Sequence, residues 1–270
     1  NFPDAYQQGM ASAALLGRHC VSLSKLNADA GPYTAKDQIE LVRSENPAFR
    51  PVDLAFGMDG ALYISDFTSQ IIGHAQHPMR DPLWNHEKGR IWRVVHTGKP
   101  VVNAWPEIEG APLPALLDLL RHPQDLVRDH ARIELRKRGP EMLTALKAWV
   151  AEIPASDPQK ARCLLEALWL LESKGQTMPP LLQALLNAPE PALRVAALAL
   201  VREQYARLPE PNAWLEKALK DPHPRVRMAV VHAVALLRPL HGEVQHVLHG
   251  YMDENPAVKR MLSDLNLGTR

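Results

Sequence analysis

The chain has few of the residues that mark the easier functional classes. It holds only two cysteines, Cys20 and Cys163. Two thiols so far apart make neither a disulfide framework nor a multi-cysteine metal site, and both read as buried thiols. They leave the cellular compartment open. No Cys-x-x-Cys-His occurs, so no covalent haem attaches within these 270 residues. No apolar run reaches the roughly 18 residues of a membrane span. Neither charge sign dominates: residues 1–110 carry 10 Lys/Arg against 12 Asp/Glu, the remainder 21 against 18. That balance argues against a nucleic-acid partner. A Gly-rich phosphate loop, a Gly-x-Ser-x-Gly elbow and a His-Glu-x-x-His zinc motif are all missing, and nothing supports a Rossmann-type nicotinamide site.

What is present divides the chain in two. Apolar residues make up 46% and charged residues 23%, which is the composition of folded globular domains rather than of disorder. The C-terminal part repeats itself. HPQDLVR (122–128), SDPQKAR (156–162), APEPALR (188–194), DPHPRVR (221–227) and ENPAVK (254–259) end on Arg128, Arg162, Arg194, Arg227 and Lys259, spaced by 34, 32, 33 and 32 residues. Amphipathic stretches flank each phrase. Val226, Ala229, Val230, Ala233 and Leu237, for example, follow the fourth phrase at helical spacing. Proline suits the first turn of the second helix in each pair, and the Asp or Asn before it is expected to cap that helix. One helix pair cannot bury its apolar face alone, so the pairs are expected to stack. The Arg series reads as packing between repeats and solvated charge, with a binding stripe as the alternative. Trp149, Trp169 and Trp214 lie in apolar helical context and read as core.

The N-terminal part has the other period. Val52, Leu54 and Phe56 alternate with Asp53 and Ala55, and Met58-Asp59-Gly60 makes a tight turn into a second strand at 61–65. Asp53, beside Pro51, reads as a turn or strand-edge anchor. A third strand is expected at 91–95. Stretches 10–16, 20–26 and 38–43 supply three more. Six short strands cannot close a propeller, which takes four to eight four-stranded blades. The text opens at Asn1 inside a domain, and the expectation is a fragment with further blades upstream and an unprotected sheet edge.

These phrases resemble a known family. GMDGALYISDF (57–67) is similar to the strand–turn–strand phrase of soluble sugar dehydrogenase-like propellers. With FRPVD (49–53), IIGHAQH (71–77), RDP (80–82) and HEKGRIWRV (86–94), it resembles the PVC-type membrane-bound dehydrogenase family. The 221–227 phrase is the best match to HEAT repeats. The resemblance implies a multidomain β plus α chain. Residues 1–98 would be the terminal blades of a β-propeller, 99–111 a linker, and 112–268 an all-α HEAT-repeat solenoid of about five repeats, the last of them short. In HEAT repeats Asp and Arg form a ladder between neighbours. Here Asp221 with Arg227, and more loosely Asp157 with Arg162, keep both ends.

The resemblance further implies an exported protein, periplasmic or membrane-associated, whose propeller oxidises a sugar or related alcohol. A quinone would take the hydride, with pyrroloquinoline quinone and calcium as the expected cofactors. A c-type haem domain outside this sequence would receive the electrons, and the HEAT array would space or dock these parts. This segment alone would be inactive. The rival expectation is a non-enzymatic scaffold that binds a glycan or protein and recruits a protein partner through its HEAT array.

One loop concentrates candidate chemistry. His74 or His77 would serve as general base, since a neutral imidazole removes a hydroxyl proton near physiological pH. Asp66 and Asp81 would orient the histidines. Arg50 or Arg80 would clamp a cofactor carboxylate, with His86 nearby. The same residues equally suit the internal bonds of a long ordered loop. His74 and His77 without a clear third ligand are a weak metal signal, so no metal site is assigned.

Overall fold

In a computed structural model of the chain, residues 6, 9–14, 18–27, 29, 31–70, 80–82, 87–102 and 104–267 are described. The chain forms two compact units. One comprises residues 1–27 and 34–106, the other 28–33 and 107–270.

The first unit holds two open antiparallel sheets. β1 (Gly9–Ala14), β2 (Cys20–Asn27) and β3 (Thr34–Arg43) pair in chain order. So do β4 (Pro51–Phe56), β5 (Leu62–Asp66) and β6 (Arg90–Val94). Strand β1 of the first sheet runs beside β4 of the second. Among the described residues neither sheet closes into a barrel. All six strands expected from the alternation are present, with ends shifted by a few residues. Among the described residues, burial follows the period of two on the middle strand of the second sheet. Leu62, Ile64 and Asp66 point inward from β5, while Tyr63 and Ser65 alternate with them. Strand β4 carries the alternation that announced it, yet Val52 and Phe56 are exposed.

The tight turn forms as the sequence implies. Gly60 takes φ +79°, a region that glycine enters without penalty. The Asp59 side chain closes the turn through Oδ1, which accepts from Ala61 N–H at 3.0 Å. Its Oδ2 accepts from the Tyr63 hydroxyl at 3.1 Å and from Arg93 Nε at 2.8 Å. Burial pushes the Asp59 carboxyl up, but these donors together hold it below its ordinary range.

The second unit is helical and proceeds in pairs: α1 (Leu113–Leu119) with α2 (Asp125–Lys137), α3 (Glu141–Glu152) with α4 (Lys160–Ser173), α5 (Pro179–Leu186) with α6 (Pro191–Glu203), and α7 (Pro211–Ala218) with α8 (Pro224–Leu237). In the fifth pair, a short 3-10 segment at Gly242–Leu248 replaces the first helix before α9 (Pro256–Asp264). A continuous apolar core runs through the array, from Leu116 and Leu135 through Leu168, Leu182 and Val230 to Val258. Proline opens α6, α8 and α9. Asn255 caps α9 as expected, its side chain accepting from Ala257 and Val258 N–H. Asp221 does not cap α8. His223 does, through Nδ1, and this leaves Asp221 available for a longer contact.

Candidate functional site

Asp66 ends β5 on its inward face and is 2% exposed. Its Oδ1 accepts from Arg50 N–H at 2.8 Å and Thr68 N–H at 2.9 Å, and Oδ2 accepts from Trp92 Nε1 at 2.9 Å. Burial raises such a carboxyl, yet the donors from Arg50, Trp92 and Thr68 outweigh it and hold Asp66 below its ordinary range. It is therefore a poor proton acceptor and a strong structural anchor. The Thr68 backbone sits at φ +52°, a strained value for a β-branched residue, and the Thr68 hydroxyl donates to the Asp66 carbonyl at 3.2 Å. Three separate segments meet at this one carboxylate: the entry to β4, the exit of β5 and the middle of β6.

Arg50 is buried beside it. Its Nε donates to the Ser69 carbonyl at 3.1 Å and its Nη2 to the Gln70 carbonyl at 3.1 Å. The guanidinium fork that a cofactor carboxylate would need is thus turned onto backbone. Arg50 does not fit the clamp role, and no step through a quinone is derived from it. Phe49 meets Trp92 edge to face at 6.3 Å, and His19 Nδ1 lies 3.1 Å from the Phe49 carbonyl. Within the candidate loop between Ser65 and Gly89, Arg80 and Asp81 are described, Arg80 exposed and Asp81 half-buried. His74, His77 and His86 lie outside the described residues. The structure therefore gathers Arg50 and Asp66 of the expected set, and adds His19, Thr68 and Trp92. A Trp indole donating to a strand-end Asp leaves no spacing signal, because the two residues are 26 positions apart. Asp53 accepts from Leu54 N–H at 2.8 Å, a local contact at the irregular start of β4. Among the described residues no group of three or more His, Cys, Asp or Glu is placed to hold a metal ion.

The helical unit carries a second organised constellation. Arg194 on α6 donates through Nη1 to the Ala188 and Pro189 carbonyls of its own turn, at 2.8 and 2.7 Å. Its Nε and Nη2 grip Asp221 of the next repeat at 2.7 and 2.9 Å. Arg227 repeats the pattern. It closes on the Asp221 and Pro222 carbonyls at 2.8 and 3.1 Å and grips Asp253 at 2.6 and 3.1 Å. Each Arg therefore ties its own turn to the acid of the following repeat, and each acid also accepts a backbone N–H two residues on. The Tyr251 hydroxyl adds a further bond to Asp253. Burial pushes Asp253 up, but Arg227, Tyr251 and the Asn255 N–H bring it down to about 2.

Earlier in the array the pattern changes. Arg128 closes its own turn on the His122 and Pro123 carbonyls, but pairs with the buried Glu166 on α4 at 3.3 Å. Asp157 pairs with Arg121 instead. Arg162 is exposed, and Ala188 stands where the third repeat would need its acid. The ladder thus runs forward between repeats. Asp221 is legible as part of its repeated phrase, whereas Asp253 falls one residue before the ENPAVK phrase and carries no such signal.

A β unit followed by a HEAT-like helical array is the class that fold and ladder define. Residues 178–264 match the family model described as HEAT repeats, and residues 1–98 match one described as Domain of unknown function (DUF7133). No curated protein matches the chain. No solved structure matches it. No helix among the described residues is long and apolar enough to cross a membrane.

Proposed function

We propose that the chain works as a protein-binding scaffold, its HEAT-type array presenting the docking surface and its β unit forming the terminal blades of a propeller. The observation that carries this is the Arg194–Asp221 and Arg227–Asp253 ladder. It holds successive helix pairs in one register, so that side chains on different repeats keep fixed positions for a partner. HEAT repeats commonly mediate protein interaction, and this inference is by fold analogy. Two adjacent antiparallel meanders support the propeller reading of the β unit. Within that unit, the Asp66 carboxylate and the Nε and Nη2 of Arg50 bond to the chain's own backbone and Trp92, which supports a structural role over a catalytic one.

Partner binding by the immobilised chain, compared with that of Arg227→Ala and Asp253→Ala variants, tests the proposal. Saturable binding that both variants weaken is the expected result. The contrary result is dye-linked oxidation of aldoses by the complete protein supplied with pyrroloquinoline quinone and calcium, together with unimpaired partner binding in the variants. That outcome would restore the exported, haem-coupled sugar dehydrogenase implied by the resemblance.

A further inference from the structure

Helix α7 divides two surface depressions of opposite character. On one side lies a groove of about 490 Å³, bounded by α5, α7 and the start of α8. Leu186 and Trp214 supply apolar wall. Trp214 is only half-buried, packing on the core while it borders the groove, so it is less enclosed than its apolar sequence context implies. Arg194 and Asp221 line the groove as well, but they neutralise each other through the bidentate ladder contact. The two remaining cations are Lys217 and Lys220, both exposed. Lys217 Nζ donates to the neutral Asn187 side-chain oxygen at 3.0 Å and makes no ion pair among the described residues. Lys220 makes no ion pair among the described residues. On the other side of α7 lies a cleft of about 730 Å³ bordered by Glu210, Glu216 and Glu243.

We infer that the groove between α5 and α7 docks an acidic peptide segment, its carboxylates on Lys217 and Lys220 and an adjacent aliphatic side chain against Trp214 and Leu186. This rests on the scaffold reading and names the partner class for it. Uncompensated positive charge beside an aromatic wall is complementary to carboxylates next to an apolar anchor. The glutamates across α7 repel the same segment from the neighbouring cleft, which gives the site its direction as well as its charge. A polynucleotide fits less well. It calls for several phosphate contacts along an extended basic track, whereas this groove offers two free ammonium groups on a chain of net charge +1.

The test uses the full chain and a random twelve-residue peptide display library. Selected peptides should be enriched in Asp and Glu beside Leu, Ile or Met. Their affinity should fall at least about tenfold in the Lys217→Glu/Lys220→Glu variant and weaken as salt rises. It should be unchanged by Lys147→Glu, a charge reversal on α3. Trp214→Phe should bind more weakly than the parent chain and keep the helical circular dichroism. Peptides that are acidic but insensitive to the double reversal would overturn the groove assignment while leaving the scaffold reading intact. Selected peptides without acidic enrichment, or tight binding of poly-U RNA abolished by the same two reversals, would overturn the acidic-peptide assignment. Failure to select any peptide would count against both readings.

Discussion

The two units solve the same problem by different means. In the β unit, one described cluster of buried apolar residues consists of Val21, Phe49, Leu62 and Ile64. In the helical unit the apolar core continues through every repeat. The β unit leans on polar anchors where its apolar core is thin. Asp59 and Asp66 each hold a turn or strand end through several donors. The helical unit has apolar burial in hand and uses its Arg–Asp contacts to fix the register between repeats. A buried carboxylate is thus an organiser of chain segments in one unit and a spacer of preformed helix pairs in the other.

The sharpest way to break this comparison is Asp66→Ala. It strands three donors, those of Arg50, Thr68 and Trp92, each costing about 1–3 kcal/mol when buried without a partner. The expected loss is about 3 kcal/mol or more, confined to the β unit. Urea unfolding followed by peptide-resolved hydrogen exchange checks it, since Trp149, Trp169 and Trp214 give the helical unit an aromatic signal of its own. Protection of the β-strand peptides should be lost at lower urea while that of the helical peptides stays. Movement of both together would mean that the units do not differ as argued.

Next comes the ladder. Arg227→Ala and Asp253→Ala should each cost about 3 kcal/mol, because each leaves a largely buried charge without its counterion. The double variant should cost less than the sum, and a double-mutant cycle on the helical transition measures the coupling. The acid limb of stability follows at smaller amplitude. Asp253 is depressed from 3.8 to about 2 in the folded chain. A depressed carboxyl contributes stability that is full above its unfolded value and is lost as pH falls through the folded one. The helical unit should therefore lose on the order of 2 kcal/mol between about pH 4 and about pH 2. Asp253→Asn should flatten that part of the pH–stability curve. The smallest effect belongs to Gly60→Ala, which forces a Cβ into φ +79°. About 1 kcal/mol is expected there, in the β unit alone.

Much of the fold was legible because periodicity is a local property. The phrases ending on Arg128, Arg162, Arg194, Arg227 and Lys259 placed the second helix of all five pairs, and the shortness of the last repeat appears as the 3-10 segment. The six strands were legible for the same reason. The candidate site was legible by residue type alone: the structure brings Asp66 and Arg50 together for a purpose their types do not announce, while His74, His77 and His86 lie outside the described residues. Trp92 stood in the quoted HEKGRIWRV phrase without a role. Only the pairing of β5 with β6 delivers its indole to Asp66. Burial was similarly hidden: Phe56 alternates like a core residue and lies open, because a strand pattern says which residues share a face and not whether that face is covered.

The sequence by itself determined which stretches are strands and which are helices, and the repeat length that makes the helices stack. Tertiary structure alone decided the partners. Asp221 and Arg227 stand in one phrase, but Asp221 takes Arg194, 27 positions upstream, while Arg227 reaches forward to Asp253. The physical reason lies in the turn geometry. Each guanidinium first satisfies two carbonyls of its own turn, which aims its remaining N–H groups at the neighbouring repeat, and the acid they meet is set by how the helix pairs stack.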